Sequence, residues 1–283
     1  MPINVLRATA AVVTSALLVL GTGGAAASDA PDTPVEASGD TGATTGSSTG
    51  SPTVTEPVDT TADTTGKPAP KLLGADPAVG ALFDGTGHFC SASVVHSAAG
   101  DLVLTAAHCV NGGSGDGYRT GLSFAPGYHD GVEPFGRWTV TGAVVADGWS
   151  SSADPDLDFA FLTVRQDGNP GTVESLTGAN QLGISQGFTN QVTLTGYPDT
   201  SNSPVVCRNA TTQSDAYQQR IACAGFPDGT SGGPWVTGAD PSTGHGTVVG
   251  VIGGYQLGGD SPDVSYSAYF DDDIQRLYGS VNG

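Results

Sequence analysis

Gly229-Thr230-Ser231-Gly232-Gly233-Pro234 sets one side-chain hydroxyl, on Ser231, among three glycines. Glycine lets a backbone turn tightly and lets its N–H groups come close to a bound molecule, so the stretch reads as a nucleophile on a turn. Taken alone it also fits an ordinary Gly/Ser loop, and a motif gains meaning only from its context. That context is Thr105-Ala106-Ala107-His108-Cys109 upstream and Asp158-Phe159-Ala160-Phe161-Leu162 between the two. An imidazole, a carboxylate and a hydroxyl are the three groups of nucleophilic acyl transfer, here in the order His, Asp, Ser.

Two other nucleophile patterns fail on order. Gly229-Thr230-Ser231-Gly232-Gly233 satisfies G-x-S-x-G, but that elbow needs a helix directly after the serine, with the acid and histidine following it. Pro234-Trp235-Val236-Thr237-Gly238 follows instead. A subtilisin-like reading would use His245-Gly246-Thr247, yet subtilisins place the serine last and His245 comes after Ser231.

Around these motifs the chain is a series of short β-branched runs separated by Gly, Asp, Ser and Pro. They include Ala92–Val95, Leu102–Thr105, Trp138–Val140, Phe159–Val164, Val192–Leu194 and Thr247–Ile252. Short strands spaced by turn residues predict an all-β barrel or sandwich. One helix is expected at about residues 271–279. Asp271, Asp272 and Asp273 would sit at its positive end, and Ile274, Leu277 and Tyr278 would share a face.

The N-terminal quarter has a different character. Arg7, the apolar run Ala8–Leu20 and Ala25-Ala26-Ala27 fit a secretory signal peptide over residues 1–27, with a run too short to span a bilayer. Residues 28–71 are Thr, Ser, Gly, Pro, Ala and Asp without one aromatic ring, so they cannot bury enough apolar surface to order themselves. They read as a disordered acidic propeptide or linker, and a zymogen would lose them. Residues 72–283 hold 21 acidic residues, six arginines and no lysine, a net charge of −15. Such a domain repels nucleic acid and anionic membranes. All four cysteines (Cys90, Cys109, Cys207 and Cys223) lie there, an even number in an exported chain, so two disulfides in one of three pairings are expected.

From Gly87-His88-Phe89-Cys90 to Thr105-Ala106-Ala107-His108-Cys109, and again at the other two motifs and at Gly196-Tyr197-Pro198, the chain resembles the chymotrypsin-like serine proteases. The resemblance spans roughly Phe83 to Tyr278. It implies two six-stranded antiparallel β-barrels, about 72–172 and 173–270, with a short C-terminal helix. It implies His108 as general base, Asp158 as its orienting partner, Ser231 as nucleophile, and the N–H groups of Gly229 and Ser231 as oxyanion hole. Asp156 is the competing acid, but Asp158 alone stands in phase with the family's Asp, apolar, Ala, apolar, Leu pattern. Asp154-Pro155-Asp156 then reads as an exposed turn, and His88, His96, His129 and His245 as solvent-facing or structural. The resemblance also implies the pairs Cys90–Cys109 and Cys207–Cys223.

The implied protein is an extracellular, monomeric endopeptidase acting on proteins or peptides, with no cofactor and no membrane anchor. Its rivals are a catalytically silent binding domain on the same fold and an exported esterase. The primary pocket would be formed by Gly225, Phe226, Gly253, Gly254 and Tyr255. Gly225 stands where trypsin-type enzymes carry an Asp, and Phe226 would shorten the pocket. The spacing of Cys207 and Cys223 looks nearer to bacterial glutamyl endopeptidases, but their glutamate-binding hydroxyl and histidine are not evident at Phe226 and Ile252. Asn209-Ala210-Thr211 is a glycosylation sequon.

Overall fold

The computed structural model describes residues 76–85 and 87–282. The expected signal peptide and acidic stretch lie outside the described residues. Six strands come first: β1 (Val79–Phe83), β2 (His88–Val94), β3 (Leu102–Thr105), β4 (Ser123–Pro126), β5 (Trp138–Val145) and β6 (Ala160–Arg165). They close into an antiparallel barrel in the order β1-β2-β3-β6-β5-β4, sealed where Gly80–Phe83 pair with Pro126–Ser123.

Seven strands follow: β7 (Gln181–Leu182), β8 (Gln191–Gly196), β9 (Val205–Gln213), β10 (Gln218–Ala222), β11 (Pro234–Thr237), β12 (Thr247–Val251) and β13 (Val264–Ala268). Their order is β13-β10-β9-β8-β11-β12-β7, with only β7 parallel to its neighbour. This second sheet curls on itself, so that β12 meets β13 and β10 through side chains. The Val251 N–H donates to Ser267 Oγ at 3.1 Å, and Gln219 Nε2 donates to Val249 O at 2.6 Å. Two short helices, α1 (Asp147–Ser152) and α2 (Val173–Thr177), had no periodic signal because neither exceeds two turns.

The strands that read as continuous apolar runs are buried on both faces. Along β3, Val103 points into the first barrel, while Leu102 and Leu104 point out and meet Phe159, Phe161, Val248, Val251 and Phe270. A strand between two packed layers has no solvent face and so loses its alternation. The C-terminal helix, α3 (Asp272–Val281), covers the same layer through Ile274, which is fully buried. Burial of such a side chain contributes about 1.5–3 kcal/mol. Its N-terminus is capped by Asp271, whose side chain accepts the Asp273 N–H at 2.8 Å, so the acidic triplet does act at a helix start.

Cys90 is bonded to Cys109 and Cys207 to Cys223, the pairs the resemblance implies. With separations of 19 and 16 residues, each loop closure contributes about 3 kcal/mol on the chain-entropy account. The sequon is engaged internally. Asn209 is half-buried with Nδ2 donating to Ala222 O at 2.7 Å, and Thr211 is fully buried with its hydroxyl on Phe188 O.

Candidate active site

His108 sits just past β3, in a single 3-10 turn, Ala107–Cys109, between the two halves. Cys109 ties that turn to β2, and Thr105 Oγ1 donates to Ser91 O at 2.8 Å just before it. Asp158 ends a second short turn, Pro155–Leu157, in which the Asp154 side chain accepts the Asp156 N–H, and β6 begins two residues later.

The Asp158 carboxylate is fully buried, and N–H groups hold it. Oδ1 accepts the backbone N–H of His108 at 2.9 Å; Oδ2 lies 2.8 Å from His108 Nδ1 and accepts the Gly254 N–H at 2.8 Å. An ionised carboxylate can only accept, so Nδ1 carries the proton and Nε2 keeps its lone pair. The carboxylate thus sets the imidazole's tautomer as well as its orientation.

Ser231 lies on a loop held by its own hydrogen bonds and by three outside residues, Ile252, Asp199 and Ser91. The Thr230 N–H and Thr230 Oγ1 both donate to Pro227 O, at 3.2 and 2.6 Å, and the Gly233 N–H donates to Thr230 O at 3.0 Å. The Gly232 N–H reaches Ile252 O at 2.7 Å, and the Asp199 N–H reaches Asp228 O at 3.0 Å. From the first barrel, the Ser91 N–H donates to Ser231 O at 2.7 Å, and Ser91 Oγ donates to Gly229 O at 3.0 Å.

These bonds fix where two N–H groups point. In a trans peptide the C=O and N–H face opposite ways. Pinning Asp228 O and Thr230 O therefore turns the Gly229 and Ser231 N–H groups to the other side, and neither has an acceptor among the described residues. Gly229 is required for this conformation. Its φ is +90°, and a Cβ there would lie 2.2 Å from Asp199 N and 2.6 Å from Tyr197 O, both backbone atoms.

His108, Gly229 and Ser231 line one cleft of about 620 Å³. Its other wall is Phe226, Ile252 and the segment 256–262, and its charged lining residues, Arg119, Asp228 and Asp260, are all exposed. Three expected wall residues sit elsewhere. Gly253 and Gly254 pack against Asp158 and Gln218, and Tyr255 is half exposed against the Tyr266 ring. The chain turns over at Tyr255–Gly258, so the wall comes from that turn beyond Tyr255 and from the residues that follow it. Gly225, with φ +81°, precedes Phe226 without lining the cleft.

Asp156 is also placed differently from the exposed turn expected of it. It is half-buried and accepts Gln218 Nε2 at 2.8 Å; burial pushes its carboxyl above the usual range, with the Gln218 bond opposing. The remaining histidines lie away from the cleft. His96 pairs with Glu174, His129 Nδ1 lies on Gly127 O, and His245 stands 3.9 Å from Asp76. His88 packs against the Phe83 and Tyr128 rings, where burial lowers its pKa. Among the described residues, the one cluster close enough to grip a metal is Cys90, His108 and Cys109, and its two sulfurs are bonded to each other. Ser91 and Gln218 escaped the reading of the sequence. Ser91 adjoins the Cys90 motif and could have been suspected, whereas nothing local marks Gln218.

A family model for trypsin matches residues 65–270. Among solved structures, the chain is similar to the protease Anisep from Arthrobacter nicotinovorans, at 27% identity over 76% of this chain and 99% of that one, with a TM-score of 0.66. It is similar to a thermostable serine protease, AL20, from an extremophilic microorganism, at 28% identity over 73% and 97%, with a TM-score of 0.65. A Glu endopeptidase follows at 18% identity over 73% and 91%, with a TM-score of 0.59, a likeness of fold. No curated protein sequence matches the chain.

Proposed function

The chain belongs to the trypsin family, and from that membership we propose that it is a secreted serine endopeptidase working through Ser231, His108 and Asp158. The observation that carries the reading is the buried Asp158 carboxylate on His108 Nδ1, in one cleft with a serine whose loop aims two N–H groups away from its own anchors. His108 Nε2 takes the proton of Ser231 Oγ as that oxygen attacks a peptide carbonyl. The carbonyl oxygen becomes an oxyanion and receives the N–H groups of Gly229 and Ser231. The imidazolium returns the proton to the leaving amine, an acyl-enzyme remains on Ser231, and water releases it by the same steps. The signal-peptide pattern and the two disulfides support an extracellular site of action, where the enzyme would act as a monomer on protein or peptide substrates.

Cleavage after uncharged residues follows from the wall of the cleft. Phe226 and Ile252 are buried in it, no buried charge stands opposite them, and a Lys or Arg side chain would have little reason to leave water. A fluorophosphonate should label the wild-type chain and spare Ser231→Ala. A peptide library should then return sites after apolar or small residues, and casein should be cut as well as simple esters. A strong preference for Arg, Lys or Glu would overturn the pocket reading. Ester hydrolysis without casein cleavage would favour the esterase, and absence of labelling the silent binding domain.

Activation should not follow the trypsin route. Trypsin-type zymogens use an Asp just before the serine to receive a newly made N-terminal amine. Here that residue is Thr230, 1% exposed, with its hydroxyl on Pro227 O. An ammonium gains nothing from it. Chains beginning at Ser28, at Lys71, or at Leu72 with a blocked amine should have kcat/KM values within about threefold of one another, because the loop's own bonds hold its shape. Activity confined to one free N-terminus would show that an amine does complete the site.

A further inference from the structure

Gln218 opens β10 and is 2% exposed, and its carboxamide is hydrogen-bonded at both ends. Nε2 donates to Pro155 O at 2.9 Å and to Asp156 Oδ1 at 2.8 Å, while Oε1 accepts the Tyr255 N–H at 3.1 Å. Two acceptors at one end and a donor at the other fix which atom is nitrogen, since the flipped amide would lose all three bonds. The groups it joins converge on one place. Pro155 and Asp156 form the turn that ends in Asp158, and Tyr255 follows Gly254, whose N–H lies on Asp158 Oδ2. Gly254 packs directly on the carboxamide. With φ at +79°, a Cβ there would meet Gln218 Oε1 at 2.4 Å and Ala268 N at 2.9 Å.

We propose that Gln218 is a positioning residue for the triad, a strut that holds the Gly254 N–H on Asp158 Oδ2 and so governs how tightly Asp158 holds the His108 imidazole. It touches neither His108 nor the cleft, and this role rests on the peptidase reading above. The Gly254 N–H and the imidazole share one carboxylate oxygen. An N–H bond draws negative charge toward itself, so losing it leaves more for the imidazolium and makes His108 harder to deprotonate. The charged groups around the imidazole are Asp158 and, lining the same cleft, Arg119, Asp228 and Asp260. Those acting on Asp156 are Asp154, Asp215 and Asp271.

The test follows the pH titration of the His108 imidazole by proton NMR, which reads the group whatever the chain hydrolyses, beside kcat and KM on a peptide substrate. In Gln218→Ala the His108 titration should move up by about half a pH unit. Its kcat should fall about tenfold with KM little changed, since a base displaced by a fraction of an ångström loses its alignment. Gln218→Glu sets two carboxylates against each other and should move the titration likewise. Adding Asp156→Asn restores a donor between the two positions and should bring titration and kcat back toward wild type. A Gln218→Ala chain with lower thermal stability but an unmoved His108 titration and unchanged kcat would leave Gln218 a structural residue and overturn the proposal. Should Gln218→Ala not fold, identical titrations of Gln218→Glu and the double variant would overturn it equally. A His108 titration moved in Gln218→Ala, beside a wild-type chain that hydrolyses no peptide, would instead retain the strut and refute the peptidase.

Discussion

Ser231→Ala and His108→Ala should each reduce peptidase kcat by about 10⁴-fold or more, and combining them should cost little beyond either alone. Without the Ser231 hydroxyl there is no oxygen to carry the acyl group. Without the imidazole, nothing in the cleft takes that hydroxyl's proton, because the Asp158 carboxylate is fully buried behind His108. What survives is binding and the oxyanion N–H groups, which by themselves still favour a charged tetrahedral intermediate. Stopped assays on purified variants, with fluorophosphonate labelling as a check on trace wild-type enzyme, measure the loss. Either variant retaining a tenth of wild-type turnover would remove that residue from the mechanism.

Gly229→Ala is expected to cost about 10²- to 10³-fold in kcat, the range for removal of one oxyanion donor. Its cause is steric. A methyl group at this position would overlap Asp199 N and Tyr197 O, which are backbone atoms and cannot rotate aside, and an L-residue is strained at φ +90°. Relief requires the 228–229 peptide to leave Asp199, and the bond from the Asp199 N–H to Asp228 O is what aims the Gly229 N–H. On the proposed pocket, substrate would be held mainly by the Phe226 and Ile252 wall, so KM should change less than kcat. The comparison is kcat and KM beside the thermal midpoint. A variant that stays folded and keeps more than a third of wild-type kcat would show that the Gly229 N–H does not serve the transition state.

Much of this site was legible in the chain because its signals are local. The turn carrying Ser231 announces itself by three glycines, His108 by its place after an apolar run and before a cysteine, and Asp158 by its phase with Phe159-Ala160-Phe161-Leu162. The C-terminal helix was legible from the acidic triplet and the spacing of Ile274, Leu277 and Tyr278, within two residues of its observed end. Less local features escaped. The order of the second sheet, with β7 lying parallel on its rim, depends on pairing across some 65 residues, and two-residue strands have no period to detect. Asp154-Pro155-Asp156 has the composition of an exposed turn, and only packing against Gln218 makes Asp156 half-buried.

By itself, the order of residues determined the candidate reactive groups, their His-Asp-Ser sequence, the all-β character and the neutral position at Gly225. These follow from backbone preferences and side-chain chemistry acting over a few neighbours. Tertiary structure alone decided which donors complete the site. The Gly254 N–H reaches Asp158 across 96 positions, the Ser91 hydroxyl reaches Gly229 O across 138, and Gln218 reaches Pro155 and Asp156 across more than 60. A buried polar group must find a partner wherever the fold brings one, and most such partners are backbone groups that every residue carries. Their identity therefore leaves no mark in composition or spacing, and appears only when the two halves close on the carboxylate they share.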